Sequence, residues 1–312
     1  MLKFDAVVIG SGPAGLNASL YLVRAGLRTA LIEKNSSGGQ VLSTSEIENY
    51  LGFPKGVKGW ELADLFTAHV NEYDVEHIRG EVLKIETIEE NGTMHVLHMQ
   101  NGEQIKTRAV IIATGASSRP LGVPEEETYK GKGVSYCALC DGNFYRGLDV
   151  AIVGGGNSAL EEALYLSRIV NKVYIIHRRE GFRGAQIYLD KIRAVPEKIE
   201  LVTSCVVDSL AGEPTLKKVI VRHVETNEKR ELPVEGIFVY IGHVSNARFV
   251  PENLERNEQG FILTDQEMQT NIPGIFAAGD TRAKLCSQVC TAVGDGATAA
   301  NSLIRYLEQL NA

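Results

Sequence analysis

The stretch DAVVIGSGPAGLNASLYLVRAGLRTALIEK, Asp5–Lys34, decides the fold because the chain repeats its plan. At Asp149 a second stretch begins, DVAIVGGGNSALEEALYLSRIVNKVYIIHRR. Each reads as an apolar strand, a glycine-rich turn, a helix of roughly three turns and a second apolar strand. Aligning Gly10 with Gly154 places Gly12 on Gly156, Gly15 on Ala159 and Glu33 on His177 without a gap.

Strand, glycine turn and helix in this order form a dinucleotide fingerprint, with a discriminating residue about 20 positions further on. Gly10 and Gly154 allow the tight turn, and Gly12 and Gly156 let the backbone approach a pyrophosphate. Gly15 and Ala159 keep helix and sheet close, while the helix N-terminus offers N–H groups to the phosphates. Glu33 can accept hydrogen bonds from both ribose hydroxyls, which suits FAD or NAD. His177, Arg178, Arg179 and Arg183 stand at the matching strand end, where cations suit the 2′-phosphate of NADP. A strand ending in AAGD near the C-terminus puts Asp280 where it can accept from a ribityl hydroxyl, or act as a helix cap.

The similarity of the halves continues past the fingerprints. Short alternating strands follow each one, with hairpin chemistry at Asn91-Gly92 and Asn101-Gly102 in the first half. Each half then closes on a strand ending in glycine, at Gly115 and Gly242, followed by an irregular segment suited to a domain crossing. The region from about residue 248 begins no third repeat, so it is expected to return to the first domain. The expected fold is α/β, with two Rossmann-like three-layer dinucleotide-binding domains. Residues 1–117 and 248–312 form one, and residues 118–247 form a second inserted into it.

The chain has 312 residues and a net charge of −7, with no basic block to suggest a nucleic-acid partner. No run reaches the roughly 18 apolar residues of a membrane span, and no cationic leader precedes the first strand. A cytoplasmic protein is expected. Five cysteines are an odd number and argue against the disulfide framework of a small secreted domain.

The sequence CALCDG, Cys137–Gly142, places two cysteines three positions apart. Such a pair can be half of a metal site, a crosslink or a redox couple. A structural zinc site needs four ligands, and the other candidates are Cys286 and Cys290, which are expected to be buried helix cysteines of the other domain. No metal is expected. A Cys-x-x-Cys pair at a helix start often has a lowered thiol pKa, which favours thiolate chemistry. Asp141 can exchange a proton with the emerging thiol or cap the helix.

Taken together, GSGPAG with Glu33, GGQ at Gly38–Gln40, EIENY ending at Tyr50, ATG at Ala113–Gly115, CALCDG, GGGNSA, HRREGFR and AAGD followed by Gln288 resemble the low-molecular-weight thioredoxin reductases. The resemblance spans the whole chain. It implies an outer FAD domain, an inserted NADPH domain, a homodimer, and thioredoxin or a thioredoxin-like protein as partner. FAD-contacting positions carried over by it are Gly10, Gly12, Pro13, Ala14, Gly15, Glu33, Gly39, Gln40, Asn49, Val82, Gly115, Gly279, Asp280, Gln288 and Val289. Those for NADPH are Gly154, Gly156, Asn157, Ser158, Ala159, His177, Arg178, Arg179 and Arg183. It also implies a Cys137–Cys140 disulfide, with Cys140 facing the flavin and Cys137 exchanging with thioredoxin; Asp141, beside them, joins them as a catalytic candidate.

Four positions depart from the family pattern. Leu139 stands where Thr is usual, Ser287 where Arg precedes the flavin-contacting Gln, Asn143 where an aromatic helps to dock the partner, and Ser245 where Pro is common. The expected reaction is a relay from NADPH through FAD to the cysteine pair and on to a partner disulfide, with the inserted domain rotating about its crossings. A flavin dithiol oxidase, a reductase of another disulfide, and a zinc-stabilised nucleotide sensor are the competing readings.

Overall fold

The computed structural model describes residues 2–44, 47, 49–90 and 92–311. Asn91 of the first expected hairpin, and Glu46 and Glu48 of EIENY, lie outside them. The chain forms two compact units, Met1–Ser117 with Val244–Ala312, and Ser118–His243.

The first fingerprint folds as read. Strand β1 (Leu2–Ile9) runs into helix α1 (Pro13–Arg24) and strand β2 (Thr29–Glu33). Pro13 opens the helix, where its missing N–H costs nothing. Helix α2 (Gly59–Asn71) leads to β3 (Glu76–Arg79), and then β4 (Val82–Glu89), β5 (Thr93–Met99) and β6 (Gln104–Ile112) form a meander. The β5–β6 loop turns at Gly102, whose φ is +84°, while the Glu103 N–H donates to Asn101 Oδ1 at 3.0 Å.

The sheet order is β3-β2-β1-β6-β5-β4, parallel from β3 to β6 and antiparallel beyond. Side chains alternate across β6. Ala109 and Ile111 join one core with Leu16, Leu20 and Leu303, whereas Val110 and Ile112 join another with Ile85, Leu97 and Leu254. Burying such a Leu or Ile contributes about 1.5–3 kcal/mol, so both faces of the sheet must be covered.

In the second unit, β7 (Ala116–Ser118) carries the first crossing, and α3 (Glu126–Tyr129), β8 (Val134–Ser135) and α4 (Ala138–Asp141) follow. The second fingerprint is β9 (Asp149–Val153), α5 (Asn157–Leu166) and β10 (Lys172–Ile176). Helix α6 (Gln186–Arg193) and β11 (Ile199–Val202) come next, and then an antiparallel meander of β12 (Cys205–Ala211), β13 (Lys218–His223) and β14 (Lys229–Leu232). Strand β15 (Gly236–Val239) closes a parallel sheet of order β11-β10-β9-β15-β8. One face of this sheet packs on the meander through Val219, Val221 and Leu232, and the other packs on α5 and α6 through Leu160, Leu166 and Ile192.

The return crossing, β16 (His243–Ser245), pairs with β7. The first unit therefore resumes at Val244, ahead of the residue 248 expected from sequence. Hydrogen bonds to segments distant in sequence explain the difference, because Ser245 Oγ donates to the Thr281 carbonyl at 3.2 Å and the Asn246 N–H donates to the Gly115 carbonyl at 3.0 Å. Strand β17 (Ile275–Ala277) then pairs in parallel with the end of β6, and helix α7 (Val289–Asn311) packs on α1 through Ala299, Ala300 and Leu303. The C-terminal region thus completes the first unit.

Candidate dinucleotide and disulfide sites

A cavity of about 440 Å³ opens at the C-terminal ends of β1 and β2, within the roughly 300–1,000 Å³ usual for ligand sites. Gly10, Gly12, Pro13, Ala14, Glu33, Gly39, Gln40, Val82, Gly115, Gly279 and Asp280 line it, so most of the positions expected to bind FAD converge. Gly15 is not among them. A Cβ there would lie 1.8 Å from the Gly10 carbonyl oxygen, so this glycine serves the close helix–sheet approach. Asn49 and Gln288 also lie outside the lining but meet each other, Asn49 Nδ2 donating to Gln288 Oε1 at 3.0 Å. Val289 begins α7 and packs with Val41 and Leu62.

The cavity has the chemistry of a dinucleotide cradle. Gly12 has ordinary extended angles, φ −74° and ψ −178°, and a Cβ on it would find no atom nearer than Gly39 Cα at 4.0 Å. The polypeptide itself therefore places no demand for glycine there; open space for a ligand does. No acidic residue occupies the first turn of α1, which leaves its N–H groups to an anion. Glu33 is fixed by Ser11, whose N–H and Oγ donate to Oε2 at 2.9 and 3.0 Å. Asp280 Oδ1 is buried without a hydrogen bond, although Lys284 Nζ lies 3.0 Å away as an ion-pair partner. Beside its lysine partner that oxygen keeps a lone pair for a hydroxyl donor, and the residue caps no helix through its side chain. Lys284 also reaches Asp295 Oδ2 at 3.3 Å, so a cation stands near this wall despite Ser287.

The second fingerprint repeats the first in its own unit. Gly154 has φ +155°, and a Cβ would meet the Tyr240 carbonyl oxygen at 2.5 Å, so only glycine fits. Gly156 is extended at φ −97° and ψ 178°, with nothing within 4 Å of a Cβ. Asn157 and Ser158 open α5, Asn157 Oδ1 accepting the Ala185 N–H at 2.7 Å, and Ala159 is buried against the sheet.

Arg178, Arg179 and Arg183 are exposed, and among the described residues no carboxylate pairs with their guanidinium groups. His177 is placed differently from its register partner Glu33. It is 7% exposed, lies under Gly155, stacks on Phe182 at 4.8 Å, and has Nε2 3.2 Å from the Gly181 carbonyl oxygen. Burial, with help from the neighbouring arginines, holds its pKa below the ordinary value. It supports the glycine turn from beneath rather than presenting a cation.

In the same unit Cys137 and Cys140 are joined by a disulfide. Cys137 is the N-cap of α4, and its Sγ accepts the Cys140 N–H at 3.2 Å. Asp141 is the last residue of α4, and its side chain caps no helix. Its Oδ2 accepts from Ser135 Oγ at 2.7 Å. The Tyr240 hydroxyl accepts the Ala138 N–H at 2.7 Å, and burial, followed by the charge of Glu162, pushes its own pKa upward. Leu139 and Phe144 are exposed.

Cys286 and Cys290 depart from expectation. Both are free and exposed rather than buried: α7 begins only at Val289, which leaves Cys286 in the preceding segment, and Cys290 stands exposed in the first turn of α7. Among the described residues, no group of three or more His, Cys, Asp or Glu side chains could hold a metal ion.

The reading from sequence missed Ser135 and Tyr240 beside the disulfide, and Thr114, Asn246 and Phe249 in the cavity wall. Tyr240 shares the GIFVYIG strand end with Gly242, which was a usable signal; Ser135 carried none.

The sequence from residue 4 to 296, reaching into both units, matches the family described as pyridine nucleotide-disulphide oxidoreductase. The chain belongs to the pyridine nucleotide-disulphide oxidoreductase family. The thioredoxin reductase of Helicobacter pylori is 43% identical over 311 residues, covering 97% of this chain and 99% of that protein. That of Bacillus subtilis is 39% identical over 309 residues, covering 98% and 96%. The crystal structure of thioredoxin reductase from Streptococcus pyogenes matches with a TM-score of 0.88 at 40% identity, covering 98% of this chain and 99% of that one. As a member of the family, the chain is an NADPH-dependent flavoprotein disulfide oxidoreductase, with FAD and NADPH as its cofactors. No helix among the described residues is long and apolar enough to cross a membrane.

Proposed function

We propose that the protein is a thioredoxin-disulfide reductase. The carrying observation is the Cys137–Cys140 disulfide on the unit that also bears the Gly154–Gly156 turn and the arginines that follow β10. In this reading the first unit holds FAD through Gly12, Glu33, Gln40 and Asp280, and the second holds NADPH through Gly156, Arg178, Arg179 and Arg183. FAD supplies hydride acceptance from NADPH and two-electron delivery to a disulfide.

The residues of this chain do the rest. Backbone N–H groups at the starts of α1 and α5 receive the pyrophosphates, and Glu33 orients the adenosine ribose. Once reduced, Cys137 is stabilised as thiolate by the Cys140 N–H, which favours it as the attacking sulfur. It attacks the partner disulfide to form a mixed disulfide. Cys140 then attacks Cys137 Sγ, releasing the partner dithiol and restoring the internal bond. Asp141 holds the proton exchanged with the sulfurs.

Disulfide and coenzyme turn share one unit while the flavin cradle belongs to the other, so each must meet the flavin in its turn. Rotation about Ser117–Ser118 and His243–Val244 meets that need. A crosslink fixing one orientation should abolish steady turnover while sparing one half-reaction. A cytoplasmic homodimer completes the reading, supported by the family resemblance; sedimentation should give twice the chain mass.

The deciding assay mixes the purified yellow protein with NADPH or NADH and oxidised thioredoxin, for wild type and Cys140→Ser. Thioredoxin-dependent NADPH oxidation in wild type alone supports the proposal. Oxidation without thioredoxin, or equal rates in the variant, overturns it in favour of an oxidase or another acceptor.

A further inference from the structure

We propose that Ser135 is a positioning residue for the disulfide chemistry, holding the Asp141 carboxylate against the backbone of Cys137. This rests on the reductase reading above. Ser135 ends β8 in register with Phe238 of β15, so the sheet fixes its backbone, and it is 5% exposed. A buried hydroxyl is costly unless it is bonded, and this one is bonded on both sides. It accepts the Cys137 N–H at 3.1 Å and sits 2.7 Å from Asp141 Oδ2 and 3.4 Å from the Cys137 carbonyl oxygen. A serine hydroxyl has one proton to give. The shorter contact, to a carboxylate, takes it.

The arrangement gives the cysteine turn two hydroxyl supports from outside. Ser135 receives the Cys137 N–H, and Tyr240 receives the Ala138 N–H. Asp141 is thereby released from capping, and its carboxylate is tied to Cys137 through one hydroxyl. Reduction breaks the Cys137–Cys140 bond with two electrons from NADPH, leaving one sulfur as thiolate while the other takes a proton. Reoxidation by the partner disulfide returns that proton. A carboxylate held in one place meets both events without a search, whereas a free one must be oriented anew each time.

The test uses Ser135→Ala, Ser135→Thr, Asp141→Ala and the Ser135→Ala/Asp141→Ala double variant of the flavin-loaded protein. Turnover with thioredoxin is followed from about pH 6 to 9. Losing a hydrogen bond to a charged group predicts about a tenfold fall in kcat for Ser135→Ala, an unchanged KM for NADPH and a displaced pH profile. Threonine should restore the rate, and the double variant should be no slower than Asp141→Ala, because the effect of Ser135 on proton exchange runs through that carboxylate, while loss of its bond from the Cys137 N–H is read separately in the melting temperature. Multiplying losses in the double variant, or an unmoved profile in Ser135→Ala, overturns the proposal. The cycle decides even if threonine is too large for the site. A parallel half-reaction, the rate at which NADPH alone generates new titratable thiols, is read for the same variants. A wild type that forms thiols yet spares thioredoxin discredits the partner, and the cycle in the half-reaction still decides on Ser135.

Discussion

Gly12 and Gly15 belong to one turn and fail in opposite ways when changed. Gly12→Ala meets no obstacle in the protein, so the variant should fold and melt as wild-type apoprotein does, yet retain FAD poorly; flavin absorbance after gel filtration checks this. Gly15→Ala drives a Cβ into the Gly10 carbonyl, and its cost should appear in the melting temperature itself. Both glycines were legible in the motif, and so was the division of labour between them. What the motif could not show is the direction a side chain takes. His177 shares its register with Glu33, but a bulky ring at that strand end turns inward against Gly155 and Phe182. The motif leaves Asp141 between two roles because its partner, Ser135, reaches it from another element, β8.

At the scale of elements, the end of β10 carries the coenzyme choice. Arg178→Gln with Arg179→Gln should raise the KM for NADPH about tenfold by removing guanidinium forks from the 2′-phosphate, while the KM for NADH stays near its starting value. Steady-state kinetics with both coenzymes checks this. Strand β5 carries another consequence through His95, which is buried beside Gly274 and Tyr306 with Nδ1 3.1 Å from Thr87 Oγ1. Burial lowers its pKa from 6.5 to about 4, partly offset by the Pro273 carbonyl. Because the folded value lies below the unfolded one, its contribution is complete above pH 6.5 and is lost as pH falls toward 4, by about 3 kcal/mol at the limit. Urea unfolding between these pH values should show a steep decline in wild type and a shallower one in His95→Gln. Nothing in the alternation of β5 distinguished this histidine from an exposed one, since its burial is made by α7 and the segment before β17, remote in sequence.

At the scale of the molecule, each unit carries its own apolar core on both faces of its own sheet. An excised fragment of residues 118–243 should therefore unfold cooperatively and form the Cys137–Cys140 disulfide, as followed by circular dichroism and thiol titration. A fragment of residues 1–117 should not fold alone, because α7 and the return segment supply Leu303, Leu307, Val250 and Leu254 to its cores. The duplicated plan was legible because strand, turn and helix periods are local. The position of the return crossing was not, since it depends on Ser245 bonding to Thr281, which is distant in sequence.

The Arg119 N–H donates to the Gly242 carbonyl at 2.9 Å, and the Asn246 N–H to that of Gly115 at 3.0 Å. Each unit thus brings its own cut ends together, and a segment whose ends meet interrupts its host as a single peptide bond would. A gene for one ancestral nucleotide-binding unit can enter its own copy there in one recombination event, without inventing a linker. The same closure makes the interval between Ser117 and Val244 a ready socket for grafting a coenzyme module from another source.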